Sequence, residues 1–307
     1  MSAYRRMKWA AIPGALALAL ALVLAGCATL RADSEAAPPA PRPALWLLSD
    51  DDTKIYLFGT IHILPKGLKW RTPALEKAIA EADELVLETK MGTDFAATGR
   101  MMMTMGSSPG LPPLAERVPA DKRAALGAMI ASAGFPPARL DTMETWAAAL
   151  MLAAGSLRKL GFNAGQGVEK SIEGTHKANA RPVSGIETVA QQFGFFDAMT
   201  EDAQRAFLVG AIEDPQGSRA QLDAMITAWA AGDVDGIAKT FDSETALAPE
   251  LREVLMTRRN AAWADWIEAK LATPGTILVA VGAGHLAGKD SLQKRLEAKG
   301  LKVKRLQ

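Results

Sequence analysis

The hydrophobic pattern near the start of the chain predicts two strands, a helix and a third strand. Residues 45–49 and 54–58 are apolar-rich runs separated by three aspartates, which predicts a β-hairpin. Thr72 followed by Pro73 predicts a helix start, and apolar residues continue after it at helical spacing. Residues 84–88 then have the pattern of a strand. A strand, a helix and a strand in this order favour a parallel pair with a right-handed crossover.

The rest of the chain predicts a long helical region and then a return to α/β structure. Residues of about 92–180 are helical in pattern and interrupted by prolines, and a short strand is expected at 182–186. Further helices are predicted at roughly 188–199, 201–213, 217–231, 249–272 and 289–299. Residues 276–281 form a β-rich run, and 301–306 predict an edge strand. The predicted fold is α/β, with a mixed, mostly parallel sheet built from both chain ends and a large helical insertion of about 92–250.

The composition fits a globular protein and excludes several classes. The chain has 307 residues, of which 49% are hydrophobic and 22% are charged, so it is neither disordered nor fibrous. The 35 basic residues nearly balance the 34 acidic ones, which gives no reason to propose a nucleic-acid partner. With a single cysteine, the chain can build neither an internal disulfide framework nor a thiolate zinc cluster.

The first 26 residues have the pattern of a secretory signal peptide. Basic residues precede an uncharged run from Trp9 to Ala25, and small residues follow. A transmembrane helix is the competing interpretation, but the run is short and contains Pro13. The sequence Leu24-Ala25-Gly26-Cys27 resembles the bacterial lipobox, in which the chain is cut before the cysteine and Cys27 receives lipid. An ordinary signal peptide with an unrelated cysteine is the alternative.

Residues 27–43 are then a lipidated N-terminus and a linker rich in Pro and Ala, and residues 44–307 form the folded domain. The expected location is the cell envelope, where the lipid anchors the domain to a bacterial membrane. If the host has two membranes, Ala28 resembles the residue that follows the cysteine in lipoproteins sent to the outer membrane. The domain would then lie on the periplasmic side.

Four predicted strands lead to a residue that can bind a metal or transfer a proton. These residues are His62, Glu88, Glu187 and His285. Ligands of open α/β sheets bind beyond the carboxyl ends of the strands, so parallel strands would gather the four side chains around one pocket. Glu88 and Glu187 have a second interpretation, as acids favoured by the dipole of a following helix.

The two histidines follow matching turns, because Gly-x-x-His occurs at residues 59–62 and again at 282–285. Either turn alone would indicate an ordinary turn histidine, whereas the pair indicates a shared site. Two imidazoles with one or two carboxylates suit manganese, iron, cobalt or zinc. A metal held in this way would activate water for hydrolysis of a carbonyl compound, with the spare carboxylate of Glu88 or Glu187 as general base.

The third histidine and a pair of arginines lie in predicted helices and do not follow a strand. His176 lies in an amphipathic helix among charged residues and is expected at the surface. Arg258 and Arg259 lie in a long helix beside Trp263. They are interpreted either as a solvated charged face or as the source of a guanidinium that reaches the pocket and binds a substrate carboxylate or oxyanion.

Taken in order, several of these motifs resemble one known family. They are Phe58-Gly59-Thr60-Ile61-His62, Leu64-Pro65, Glu88, Gly185-Ile186-Glu187-Thr188, Arg259-Asn260 and Gly282-Ala283-Gly284-His285-Leu286. The set resembles the TraB/GumN family (TraB/PrgY/GumN), which includes the Tiki membrane proteases, and the resemblance runs from about Leu45 to Leu306. The family is similar to erythromycin esterases and to the ChaN-like haem-binding lipoproteins.

The resemblance implies a metal-dependent hydrolase that uses manganese or cobalt, with zinc and iron as alternatives. His62, His285 and Glu88 would hold the metal, and Arg259 would contact the substrate, a peptide or a small ester or amide. Gly167-Val168-Glu169 stands where the family often has Gly-x-Asp, which weakens any role for Glu169.

Two other functions remain open from the sequence. The chain could bind haem or another metal complex without turnover. A haem carrier with a tyrosine ligand would depend on Tyr4 or Tyr56, the two tyrosines of the chain, and Tyr4 lies in the signal peptide. An envelope protein that captures a signalling peptide without cutting it is the third hypothesis.

Overall fold

A mixed β-sheet lies at the centre of the computed structural model, which describes residues 40–307 apart from 63, 66, 91–94, 160–166, 213–214 and 246–248. The strands of this sheet are β1 (Leu45–Ser49), β2 (Thr53–Thr60), β3 (Glu84–Thr89), β4 (Val183–Glu187), β5 (Gly275–Gly282) and β6 (Val303–Arg305). Their order is β4-β3-β5-β2-β1-β6. The predicted signal peptide, Cys27 and nearly all of the predicted linker lie outside the described residues.

The pairing of the strands confirms the predicted α/β fold with a mixed, mostly parallel sheet. β5 is parallel to β2 and to β3, and β3 is parallel to β4. β1 is antiparallel to β2 and to the edge strand β6. β2 and β3 run parallel to each other, as predicted, but they are not neighbours, because β5 lies between them. The apolar run of β5 is suited to this central place, since it is buried on both faces.

Helices cover the sheet and form the insertion. They are α1 (Pro73–Glu81), α2 (Phe95–Met105), α3 (Arg123–Ala133), α4 (Pro137–Asp141), α5 (Thr145–Lys159), α6 (Val168–Ala178), α7 (Val189–Asp197), α8 (Glu201–Ile212), α9 (Pro215–Ala231), α10 (Val234–Thr245), α11 (Pro249–Arg252), α12 (Arg258–Lys270) and α13 (Leu292–Ala298). One π-helical turn, Glu253–Thr257, joins α11 to α12. Within the described ranges, no helix has the length and apolar character needed to cross a membrane.

The sheet has a hydrophobic core on each face. Leu278 and Ala280 of β5 face a core formed with α1, α6 and α9, whereas Ile277 and Val279 face a core formed with α12 and α13. This alternation follows from the two-residue period of a strand. The sheet is therefore the middle layer between two layers of helices.

The helical insertion has a core of its own. Trp146 in α5 is fully buried among side chains of α3, α4 and α8. α10 was not predicted, because Gly232 ends α9 with a positive φ and Gly236 interrupts the helical pattern that follows. Asp233 nevertheless starts this helix, since its Oδ1 accepts a hydrogen bond from the Gly236 N–H. β4 also comes from within the predicted insertion.

Candidate functional site

The carboxyl ends of the four parallel strands lie at one edge of the sheet. Thr60, the last residue of β2, is paired with Gly282 of β5, and Thr89 of β3 is paired with Glu187 of β4. The two Gly-x-x-His turns also contact each other, since a Cβ atom on Gly59 would lie 3.1 Å from the Cα atom of Ala283. Glycine at position 59 permits this close approach.

The guanidinium of Arg259 is at the centre of the site. Its Nε donates to both oxygens of Glu187, at 2.9 and 3.2 Å, and its Nη2 donates to Glu187 at 2.7 Å and to Glu88 Oε1. Its Nη1 donates to the Leu255 carbonyl at 3.0 Å and to His285 Nε2 at 3.2 Å. The interpretation as a solvated face was wrong for this residue, which is buried.

Arg259 has no unused donor in this arrangement. A guanidinium carries five N–H groups, and these contacts account for all of them. The structure therefore differs from the expectation that Arg259 offers a free N–H to a substrate. Its plane also lies over the ring of Trp263, with the guanidinium carbon 4.7 Å from the ring centroid.

His285 is a buried, neutral imidazole. Its Nδ1 donates to Asn260 Oδ1 at 2.6 Å, and its Nε2 must accept, because Arg259 can only donate. Burial lowers the pKa of His285 to about 4. Asn260 is itself fixed, since its amide donates to the carbonyl oxygens of His285 and Asp290. The lone pair of Nε2 therefore points into the site.

Glu88 is held as a carboxylate beside this ring. Burial alone would raise its pKa, but neighbouring His285 and Arg259 lower it to about 2. Since His285 is neutral near pH 7, we assign the lowering to the guanidinium of Arg259. The Gly282 N–H donates to Glu88 Oε2 at 3.1 Å, and His285 Nε2 lies 3.8 Å from Glu88 Oε1.

Glu187 is held by more donors than Glu88. Besides Arg259, the indole N–H of Trp263 donates to its Oε1 at 2.7 Å, and Gln192 Nε2 donates to its Oε2 at 3.2 Å. Gln192 also donates to Glu88 Oε1 at 3.3 Å and so joins the two carboxylates. Both carboxylates thus point to Arg259 and not to a helix N-terminus.

His62 follows the end of β2 and has a different partner. Its Nδ1 donates to Glu169 Oε1 at 2.7 Å, and Thr60 Oγ1 donates to the same oxygen at 2.5 Å. The hydrogen bond with Glu169 raises the pKa of His62 to about 9. The side chain of His62 is 72% exposed.

His176, predicted to lie at the surface, is buried. It is 1% exposed, and its Nδ1 donates to the Ile172 carbonyl at 3.2 Å. The prediction was wrong because α6 turns His176 and Ile172, four residues apart, toward the core, while the more exposed Lys170 and Lys177 lie on the outer side of the helix. This histidine belongs to the core and lies outside the candidate site.

Sequence reasoning missed the residues that hold this site together. Glu169, Gln192, Asn260 and Trp263 each make hydrogen bonds that fix one of the predicted side chains. Helical spacing carried one signal, since Trp263 lies one turn after Arg259 on the same face of α12. The Gly-x-acid sequence before α6 carried another.

A metal has two donors that face each other here, His285 Nε2 and Glu88 Oε1. In the part of the chain that the structure describes, no group of three His, Cys, Asp or Glu side chains is already arranged around a common point for a metal. The guanidinium of Arg259 contacts both donors. Tyr56, the tyrosine that a haem carrier could use, is bonded elsewhere, since its hydroxyl donates to Glu81 at 2.6 Å.

Comparison with known proteins identifies a family and two relatives. Residues 44–305 match the family described as the TraB/PrgY/gumN family. An uncharacterized protein of Escherichia coli strain K12, YbaP, is 25% identical over 254 residues, which cover 83% of this chain and 92% of YbaP. YbaP of Shigella flexneri, also uncharacterized, has the same identity and coverage. No solved structure matches the chain.

Proposed function

The chain belongs to the TraB/PrgY/gumN family, and from this membership together with the site we propose that it is a lipid-anchored, metal-dependent hydrolase of the cell envelope. The observation that carries the proposal is the geometry of His285 and Glu88. An unprotonated ring nitrogen faces an ionised carboxylate oxygen at 3.8 Å. With metal–ligand bonds of about 2.1 Å, two ligands of a tetrahedral ion lie roughly 3.4 Å apart. The two donors therefore fit one divalent ion.

The residues that would hold the metal are His285, Glu88 and His62. The Nδ1 of His285 is occupied by Asn260, as is usual for metal-binding histidines, whose second nitrogen donates to an oxygen. Nitrogen and oxygen donors without thiolate suit manganese, cobalt, zinc or iron. We favour manganese or cobalt because of the resemblance to the Tiki proteases.

Arg259 changes partner in this proposal. A metal held by His285 Nε2 would replace the hydrogen bond from Arg259 Nη1, while the bonds from Nε and Nη2 to Glu187 would keep the guanidinium in place. The released N–H would then be available to a substrate oxygen. This exchange reconciles the filled donors of the observed arrangement with a role for Arg259 in substrate binding.

Glu187 supports Arg259 and does not act as a base. Both of its oxygens accept hydrogen bonds from Arg259, and they also accept from Trp263 and Gln192. Its two oxygens are thus occupied by protein donors, which gives Glu187 the role of holding Arg259 in place. When bound, the metal supplies a water of lowered pKa as the nucleophile.

The substrates that we propose are peptides, and small esters or amides are the alternative. This choice rests on the family resemblance, because the carbonyl chemistry of the site is common to all three. The lipid on Cys27 would keep the enzyme at the membrane, on the periplasmic side of the outer membrane if the host has two membranes.

The test is metal content of the full chain, purified in detergent without chelators. Elemental analysis should find about one manganese, cobalt, zinc or iron per chain, and His285→Ala and Glu88→Gln should each lose it. Glu84→Gln is the matched control, since Glu84 lies in the same strand but bonds to Ser184 outside the site. Metal-dependent hydrolysis of a peptide mixture should follow the metal content. If the wild type binds no metal after reconstitution, the proposal fails, and haem titration becomes the next measurement.

A further inference from the structure

The start of α6 is built against the turn that carries His62. The Val168 N–H donates to the Ile61 carbonyl at 3.0 Å. One residue later, Glu169 Oε1 accepts from both Thr60 Oγ1 and His62 Nδ1. Thr60, the last residue of β2, and the next two residues, Ile61 and His62, are therefore all bonded to the first turn of α6. This turn lies more than 100 positions further along the sequence.

Gly167 makes this contact sterically feasible. A Cβ atom at this position would lie 2.5 Å from the carbonyl oxygen of His62 and 3.0 Å from its carbonyl carbon. Both are backbone atoms that cannot move aside as the end of a flexible side chain can. The sequence Gly167-Val168-Glu169 thus combines a glycine for close approach, a backbone donor to Ile61 and a carboxylate for the imidazole.

Packing alone does not orient the ring of His62. Its side chain is 72% exposed, whereas that of Glu169 is only 16% exposed. A carboxylate that is only partly exposed and bonds an exposed imidazole sets the direction in which the other ring nitrogen points. His285 has the same arrangement with Asn260, through the same ring nitrogen.

We infer that Glu169 is a positioning residue of the site, which fixes the Nδ1 of His62 and leaves Nε2 as the nitrogen that binds the metal. The inference rests on the proposed function. We assign Glu169 no contact with the metal, because the oxygen that accepts from His62 also accepts from Thr60. Its effect is on the orientation of the His62 ring. Loss of Glu169 should therefore weaken metal binding less than loss of a ligand and should also change the Nδ1 proton of His62 in the absence of metal.

The experiment compares Glu169→Ala and Glu169→Gln with the wild-type full chain in detergent. Glu173→Gln is the matched control, because Glu173 is a buried carboxylate one turn further along α6 whose ion pairs are with Lys170 and Lys177. The first readout is affinity for Mn²⁺, Co²⁺ and Zn²⁺ at a pH above 9, where the ring of His62 has lost its extra proton with or without Glu169, so that the comparison measures positioning and not competition with a proton. Loss of the hydrogen-bond partner of a ligating histidine lowers metal affinity about 10- to 100-fold, so we expect a loss of this size in Glu169→Ala. Glu169→Gln, which retains an acceptor oxygen, should lose less.

The second readout does not depend on metal. Since the chain has only three histidines, labelled imidazole nitrogens and their protons can be assigned by NMR with His62→Ala as the reference. The hydrogen-bonded Nδ1 proton of His62 should disappear in Glu169→Ala and persist in Glu173→Gln. A general loss of stability would affect Glu169→Ala and Glu173→Gln alike, and it would not remove the His62 resonance alone.

The outcomes separate this inference from the proposed function. Wild-type metal affinity in Glu169→Ala, together with loss of affinity in His62→Ala, would overturn the positioning role and leave the hydrolase proposal intact. Unchanged affinity in His62→Ala would instead remove His62 from the ligand set. Persistence of the Nδ1 proton in Glu169→Ala would overturn the inference whether or not the protein binds metal.

Discussion

Arg259 donates a hydrogen bond from Nη1 to Nε2 of His285 over 3.2 Å, so a guanidinium occupies the ring nitrogen that the proposed metal needs. The same guanidinium neutralises two carboxylates that would otherwise repel each other in a buried site. The metal-free site is thus complete in its hydrogen bonding, and metal binding has to exchange one bond for another.

Arg259→Lys should therefore increase metal affinity. Lysine keeps the positive charge, but one ammonium cannot bond His285, Leu255 and both carboxylates at the same time. We expect about a tenfold increase in the association constant, the effect of losing one hydrogen bond with a charged donor. Peptide hydrolysis should fall, because the released N–H is missing. Titration of the metal-free protein with Co²⁺ measures the first effect.

Arg258→Lys is the control for this change, because the neighbouring Arg258 side chain is 71% exposed and pairs with Glu253. It should leave the association constant unchanged. A lower metal affinity in Arg259→Lys would mean that Arg259 organises Glu88 and His285 for the metal and does not compete with it.

Metal affinity should also rise with pH up to about 9. Glu169 raises the pKa of His62 to about 9, so the ring carries a proton at neutral pH that a metal must displace. Between pH 7 and 9, the association constant should increase by up to tenfold per pH unit, and above pH 9 it should level off. Calorimetry in buffers of different protonation enthalpy should detect release of about one proton at pH 7.5. Release of no proton would exclude His62 as a ligand.

Acid should destabilise the protein through His285. Burial lowers the folded-state pKa of this ring from 6.5 to about 4, so the unfolded chain binds more protons between these values. The contribution of His285 is complete above pH 6.5 and is lost as the pH falls toward 4, by about 3 kcal/mol in total. Urea unfolding at pH 4.5, 5.5 and 7 measures it.

His285→Gln supplies the comparison, because glutamine has no titration in this range. The free energy of unfolding of this variant should depend less steeply on pH between 4.5 and 6.5 than that of the wild type. His176, whose pKa is also lowered by burial, acts in the same direction in both proteins and cancels in the difference. Equal slopes would mean that His285 is protonated in the folded state.

The strand ends that carry the candidate site were readable from the sequence because strands of a parallel sheet are apolar along their whole length. The run before Gly282 and the run before Gly59 have this pattern, and the structure pairs them directly. Family and fold class were predicted correctly for the same reason, since ordered motifs and strand patterns are local features.

The partners of the site residues were not readable, because they depend on how distant helices pack. Nothing near His62 in the sequence indicates Glu169, and the pair forms only because α6 begins against the end of β2. The sequence allowed two interpretations of Arg259, and a position in the pocket was one of them. Its bonds to Glu88 and Glu187 were not predictable, because they depend on where α12 crosses the sheet. The position of His176 was predicted wrongly because the lysines near it in the sequence, Lys170 and Lys177, are exposed while the histidine faces the core.

In the helical insertion, Arg117 is almost fully buried, and none of its partners among the described residues is a carboxylate. Its guanidinium donates to the carbonyls of Pro112, Asp141 and Met143, at 2.6–2.8 Å, and so joins two loops. Arg117→Met would fill a similar volume but would leave three carbonyl oxygens unpaired, which should lower the free energy of unfolding by about 3 kcal/mol or more in total.

The control is Arg123→Met, at the exposed start of α3, which should change the free energy of unfolding by less than about 0.5 kcal/mol. Urea unfolding compares the two variants, and metal affinity of the folded protein should be the same in both, because the insertion core is separate from the cores of the sheet. Equal stability of the two variants would show that water replaces the guanidinium at these carbonyls.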